Sequence, residues 1–420
     1  MNSVDQCGAS AQPLPRICLL TETYYPIVGG GESQARTLAG DLVARGVQVI
    51  VLTRRTATAH PSVDRVDGVD VYRIGPIGRS HLARWIMVFT ALLALARHAP
   101  AFDIAYISGY KALGIAAVII SKLLGKRCIL KADSNGELSG AVFEAGLRRL
   151  GMTRSTPLFR LLLGARNRIL LQADAFVAIS EAIARELQAG GVPEGRIHRL
   201  PNTVDTRRFA PVSPAAKMEL REQLGLPQEG QLVTYTGRLV SYKGLPTLLR
   251  VWARLARERP GATLLLVGAG GLDIHNCEAE LRSYVEANGL QERVYFTGDV
   301  RNVHAYLQAS DCFVFPTEKE AFGLSLVEAM ACGLPAVTTL TGGIAEFVTP
   351  GQNALTVAAG DEQGLGSSLR ALLDDPALAA RLGDEALKTA RGRYDRELVI
   401  AGYVSLMCRL TDRGPARTTT

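Results

Sequence analysis

The sequence predicts an α/β protein built from two doubly wound, parallel-sheet domains. Three observations carry that expectation. Short apolar runs alternate with stretches of helical periodicity up to Leu200, and the same alternation restarts at Leu232. Between the halves lies Pro201-Asn-Thr-Val-Asp-Thr-Arg-Arg-Phe-Ala-Pro211, a proline-bounded segment suited to a hinge. And 420 residues exceed what one hydrophobic core organises.

In the first half, Arg16–Leu20 reads as a buried strand, followed by a glycine loop and a helix over Glu32–Arg45 that Gly46 stops. Val47–Leu52 and Val69–Ile74 read as strands, and His81–His98 as a helix. Ile104–Ile107, Arg127–Lys131, Phe176–Ile179 and Ile197–Leu200 continue the strands. In the second half the strands are Leu232–Thr236, Thr263–Val267, Val294–Phe296, Cys312–Phe315 and Ala336–Thr338, each leading into a helical stretch. Strands joined through helices require right-handed crossovers, hence parallel sheets that bind ligands at their carboxyl ends. The domains are placed at 15–203 and 204–393, with flexible ends at 1–14 and 411–420. Periodicity alone leaves the helical stretch 394–410 free to join either domain.

Composition excludes several classes. Hydrophobic residues make up 47% and charged residues 21%, as in globular chains. The longest apolar run, Trp85–Ala96, is shorter than the roughly 18–20 residues of a membrane span. The N-terminus shows no secretory pattern, and seven scattered cysteines with no CxxC pair indicate reduced thiols, a cytoplasmic setting and no structural zinc. Residues 1–205 hold 24 Lys and Arg against 16 Asp and Glu, while the remainder holds 23 against 24. The first half therefore attracts an anion. Without a nucleic-acid-binding pattern, that anion is not expected to be nucleic acid.

The chemistry concentrates in the second half. Thr236-Gly-Arg-Leu-Val-Ser-Tyr-Lys-Gly244 follows that half's first strand and puts Arg238 and Lys243 at its carboxyl end, where a phosphate needs neutralising. Glu320-Ala-Phe-Gly-Leu-Ser-Leu-Val-Glu328 then sets one carboxylate in a loop and another inside a helix that Gly323 precedes. The amides of Phe322, Gly323 and Leu324 fall at that helix's N-terminus, which favours phosphate, and the two carboxylates suit sugar and ribose hydroxyls.

These residues resemble the retaining glycosyltransferases of family 4, which have the GT-B fold of two Rossmann-like domains facing across a cleft. The resemblance is nearly chain-wide: Gly29-Gly30-Gly31-Glu32 is similar to the family's N-terminal glycine loop, Ala178–Glu181 and Pro201–Asp205 to its pre-hinge signature, and Gly268, Gly298, Gly333 and Gly342-Gly343 to its donor-domain punctuation. It implies a nucleotide-diphosphate sugar, a UDP-sugar or GDP-sugar, as donor. Arg238 and Lys243 would neutralise the diphosphate, and Glu320 would touch the sugar. Phe322–Leu324 and Gly268 would line the donor, Glu328 would bind ribose, and Val300 would lie near the base. The glycine loop would close on phosphate and acceptor, and the C-terminal helix would return to the first domain. It also implies retention by front-face attack, with no metal or other cofactor.

Two features depart from the family pattern. Where many members carry a histidine, this chain has Lys131-Ala-Asp-Ser-Asn135, and Asp133, Ser134 or Asn135 takes its place. Leu147–Leu171 sets Arg148, Arg149, Arg154, Arg160, Arg166 and Arg168 among leucines, with no acid between Glu144 and Asp174. That composition suits an ordinary packed helix or one lying on an anionic membrane, where a hydroxyl acceptor could be lipid-linked, as in polysaccharide or glycolipid assembly. The competing readings are transfer to a small soluble acceptor and a non-catalytic nucleotide-sugar-binding protein. A dehydrogenase is disfavoured, because no G-x-G-x-x-G turn follows Arg16–Leu20.

Overall fold

A computed structural model describes residues 14–412 except 28, 79–80, 150, 152 and 272. The expectations for the two flexible ends lie almost wholly outside the described residues. The chain divides into two compact units, Thr203–Arg396 and the remainder.

The first unit runs β1 (Ile17–Thr21), α1 (Gly30–Ala44), β2 (Val49–Arg54), β3 (Val63–Val66), β4 (Val69–Ile74), α2 (His81–His98), β5 (Ile104–Ser108), α3 (Leu113–Leu123), β6 (Arg127–Ala132), α4 (Glu144–Arg149), α5 (Pro157–Leu170), β7 (Ala175–Ala178), α6 (Glu181–Ala189) and β8 (Ile197–Arg199). Its sheet order is β3-β4-β2-β1-β5-β6-β7-β8. Strands β1, β5 and β7 are buried along their whole length, which is why they read as continuous apolar runs. The sheet is parallel except for β3, which pairs antiparallel with β4. That departs from the expected all-parallel sheet, and its cause is local. Asp67 and Gly68 both take positive φ, 50° and 80°, and close a two-residue hairpin.

The second unit runs α7 (Pro214–Gln223), β9 (Gln231–Thr236), α8 (Leu245–Glu258), β10 (Ala262–Val267), α9 (Glu278–Ala287), β11 (Val294–Gly298), α10 (Val303–Gln308), β12 (Cys312–Phe315), α11 (Leu324–Ala331), β13 (Ala336–Thr339), β14 (Leu355–Val357), α12 (Glu362–Asp374) and α13 (Pro376–Tyr394). Its sheet is parallel in the order β11-β10-β9-β12-β13-β14. Helix α8 shows how the pattern becomes packing: Leu245, Leu248, Leu249, Trp252 and Leu255 fall on one face and are buried. Burial of each such leucine contributes about 2 kcal/mol, and the Trp252 indole N–H is satisfied by the Arg293 carbonyl at 3.1 Å.

The last helix, α14 (Arg396–Asp412), adds Val399, Ile400, Tyr403, Leu406 and Met407 to the first unit's core beside Ile17, Leu19 and Tyr106. With α1 and α14 on that face of the first sheet, right-handed crossovers put α2, α3 and α5 in a row on the other.

Candidate functional site

In the second unit the strand order reverses between β9 and β12, which are hydrogen-bonded neighbours. Loops leaving adjacent strands in opposite directions open a crevice at their carboxyl ends. That is how Lys243, after β9, comes to meet Glu320, after β12, with Nζ 2.5 Å from Oε2. Both side chains are mostly buried, at 12% and 15% exposure. The other Glu320 oxygen accepts from the amides of Ala321 and Phe322 at 3.0 and 3.4 Å. Arg238 is 59% exposed, pairs with Asp273 and donates to the Tyr242 hydroxyl at 2.9 Å. Each cation expected to hold a diphosphate is thus paired with a carboxylate.

Glycines let these loops close up. A Cβ on Gly342 would stand 1.7 Å from the Glu320 carbonyl oxygen, and one on Gly268 2.1 Å from that of Gly237. Gly342 has φ 55° and Gly268 φ 134°, values that L side chains resist. Gly323, at φ 100°, begins α11. Leu324 is half-buried in its first turn, and Glu328 sits half-buried one turn further on. Burial pushes the Glu328 carboxyl up to about 8, although Arg208 pulls it down.

Two residues expected near the donor also pack their side chains into the domain. The Phe322 ring is buried against Phe347 and Tyr394, and its amide is turned to Glu320. The Val300 side chain packs against the cluster that contains Leu265 and Val267.

The first unit repeats the arrangement where its order reverses between β1 and β5. A Cβ on Gly31 would lie 3.9 Å, and one on Gly109 3.2 Å, from an Asp133 carboxylate oxygen, so the glycine loop and the loop after β6 converge. Asp133 accepts from Ser108 Oγ at 2.7 Å and pairs with buried Lys131. Burial lowers the Lys131 ammonium, but Asp133 outweighs it and holds it above its ordinary value. Ser134 is tied to Glu137, whereas Asn135 is exposed. Of the three residues offered for the family histidine's place, Asp133 alone is held facing the glycine loop. Glu32 folds back onto Gly29 and accepts from Thr23 Oγ1 at 2.5 Å, while Gly30 opens α1.

Loop 133–139 is held from three sides. Glu137 is buried and accepts the amides of Asp133 and Ser134, and burial together with Asp133 pushes its carboxyl up. Glu186 of α6 accepts the amides of Gly136, Leu138 and Ser139. From α5, Arg166 donates to the Lys111 and Glu137 carbonyls and Asn167 to that of Leu138. Arg166 is therefore an interior residue, a correction to its place in the surface arginine series. The side chains of Arg148 and Arg149 lie outside the described residues.

Sequence reasoning missed Asp273, Tyr242, Glu137 and Glu186. For Asp273 a signal existed: a glycine-rich loop after β10, the strand beside β9.

Two family models together span most of the chain. Glycosyltransferase Family 4 matches residues 28–208, and Glycosyl transferases group 1 matches residues 216–389. The chain belongs to the family 4 glycosyltransferases. This glycosyltransferase is 27% identical to the D-inositol 3-phosphate glycosyltransferase of Xylanimonas cellulosilytica, over 96% of this chain and 99% of that one. Its fold matches sucrose-phosphate synthase of Thermosynechococcus elongatus with TM-score 0.79 and 24% identity, over 95% of this chain and all of that one. It also matches Anabaena HepE, solved with UDP-glucose, with TM-score 0.73 and 22% identity, over 94% of this chain and all of that one.

Proposed function

We propose that this glycosyltransferase moves a hexose from a nucleotide-diphosphate sugar to an acceptor hydroxyl, with retention and without a metal. The observation that carries the reading is the convergence of Arg238, Lys243, Glu320 and the start of α11 at the carboxyl ends of β9 and β12. The diphosphate takes Lys243 from Glu320 and Arg238 from Asp273, and the freed Glu320 accepts from a sugar hydroxyl. The bond from the anomeric carbon to the β-phosphate oxygen breaks, and the two cations stabilise the charge gathering on that phosphate. The acceptor oxygen bonds the anomeric carbon on the same face, and its proton passes to the leaving phosphate. We assign the family histidine's role to Asp133, which faces the glycine loop and would accept from a sugar hydroxyl.

We propose a sugar or polyol phosphate as acceptor. The D-inositol 3-phosphate and sucrose-phosphate relatives support this, as does the positive balance of the first half. A lipid-linked acceptor at the cytoplasmic face of a membrane is the second reading, favoured by the exposed leucines and arginines of α5.

The test is a panel of nucleotide sugars, scored by thermal shift and by slow donor hydrolysis. A true donor present well above its Kd raises stability by roughly 2–4 kcal/mol. Hydrolysis of none of them would sink the catalytic reading and leave a binding protein. Donor affinity should also depend on pH through Glu328. Ribose hydroxyls are donors and favour its carboxylate, so binding tightens across roughly pH 6–8 as the proton leaves. In the ligand-free chain the sign is opposite. The folded value lies above the unfolded one, so stability falls as pH rises between them. Titrations of Glu328→Gln should lose both trends.

A further inference from the structure

We propose that the outer layer formed by α2, α3 and α5 is a docking face for an anionic lipid bilayer. The inference goes beyond the proposed reaction and holds whichever hydroxyl accepts the sugar. Half or more of the large apolar side chains exposed among the described residues belong to this one layer. On α2 they are Ile86, Phe89 and Leu93, spaced to share a face, with Phe89 69% and Leu93 73% exposed. Helix α3, which packs against both α2 and α5, ends in Leu123 at 74%. Helix α5 adds Leu158, Leu161 and Leu162, again on one face, with Leu161 at 70%.

Charge selects the occupant. None of the three helices contains an Asp or a Glu. Arg154, just before α5, and Arg160 and Arg168 within it are exposed. Leucines flanked by guanidinium groups suit the boundary between acyl chains and anionic headgroups. A second copy of the chain fits poorly, because an isologous pairing sets these arginines against themselves. The face is also firmly mounted: on α5's inward side, Arg166 and Asn167 hold loop 133–139. The leucines thus stand on the helix that fixes the candidate sugar-contacting loop.

The test is sedimentation of the full chain with vesicles of phosphatidylcholine, alone or mixed equally with phosphatidylglycerol. The wild type should sediment only with the mixed vesicles and be released by high salt. Leu158→Gln/Leu161→Gln/Leu162→Gln should weaken binding at least ~10-fold, and so should Arg154→Glu/Arg160→Glu/Arg168→Glu. Both variants should keep wild-type donor hydrolysis in solution, which shows that they fold and keeps this test separate from that of the reaction. No sedimentation of the wild type at low salt overturns the proposal. So does sedimentation that survives the leucine variant, or a dimer in light scattering that the leucine variant abolishes while vesicles go unbound.

Discussion

Lys243→Ala, Arg238→Ala and Glu320→Ala should each lower kcat/KM by at least ~100-fold, the usual cost of one preorganised charge stabiliser, with circular dichroism unchanged. The structure ranks them. Lys243 is mostly buried, where an opposite charge is poorly screened, while Arg238 is more than half exposed. The lysine substitution should therefore cost more than the arginine one, and added salt should narrow the gap. Asp273→Asn tests the pairing of Arg238 with Asp273. It releases Arg238 from its carboxylate, so nucleoside diphosphate should bind more tightly, while turnover falls because Arg238 loses its orientation. Steady-state kinetics with product inhibition measure both. Wild-type turnover in two of the three alanine variants would falsify the site assignment.

How much of the molecule is legible in its sequence depends on how local each signal is. Strands read directly where the pattern is strong, either a short apolar run such as Cys312–Phe315 or a clean alternation such as Val69–Ile74, and both are strands to the residue. Two short edge strands escape for different reasons. β3 alternates weakly, and its Asp67-Gly68 turn is the available clue. The three residues of β14 are only half-buried and carry too little pattern. In the site, Arg238, Lys243, Glu320 and Glu328 stand out because each belongs to a short contiguous motif. Their partners do not. Asp273 meets Arg238 across 35 positions, and Glu186 meets loop 133–139 across about 50. Only the sheet order brings such loops together. Arg166 fails differently, since on a helix rich in arginine and leucine one cation turned inward has no local mark.

The loop after β6 shows how a site residue can also serve the fold, and it yields the second large effect. Lys131 is 4% exposed, and Asp133 is its ion partner. Removing one member of a buried pair strands the other charge and costs about 3–5 kcal/mol. Asp133→Ala should therefore both unfold early, with a midpoint lower by on the order of 10 °C, and lose turnover. Lost activity alone would then not distinguish a destabilised domain from a missing sugar contact. The double variant Lys131→Met/Asp133→Ala separates them, because a methionine of similar length leaves no charge behind. Its melting temperature should return most of the way to wild type while donor turnover stays low. If turnover returns as well, Asp133 serves only to neutralise Lys131. If the single variant melts like the wild type, the ammonium finds water on its own and the pair contributes little to the fold.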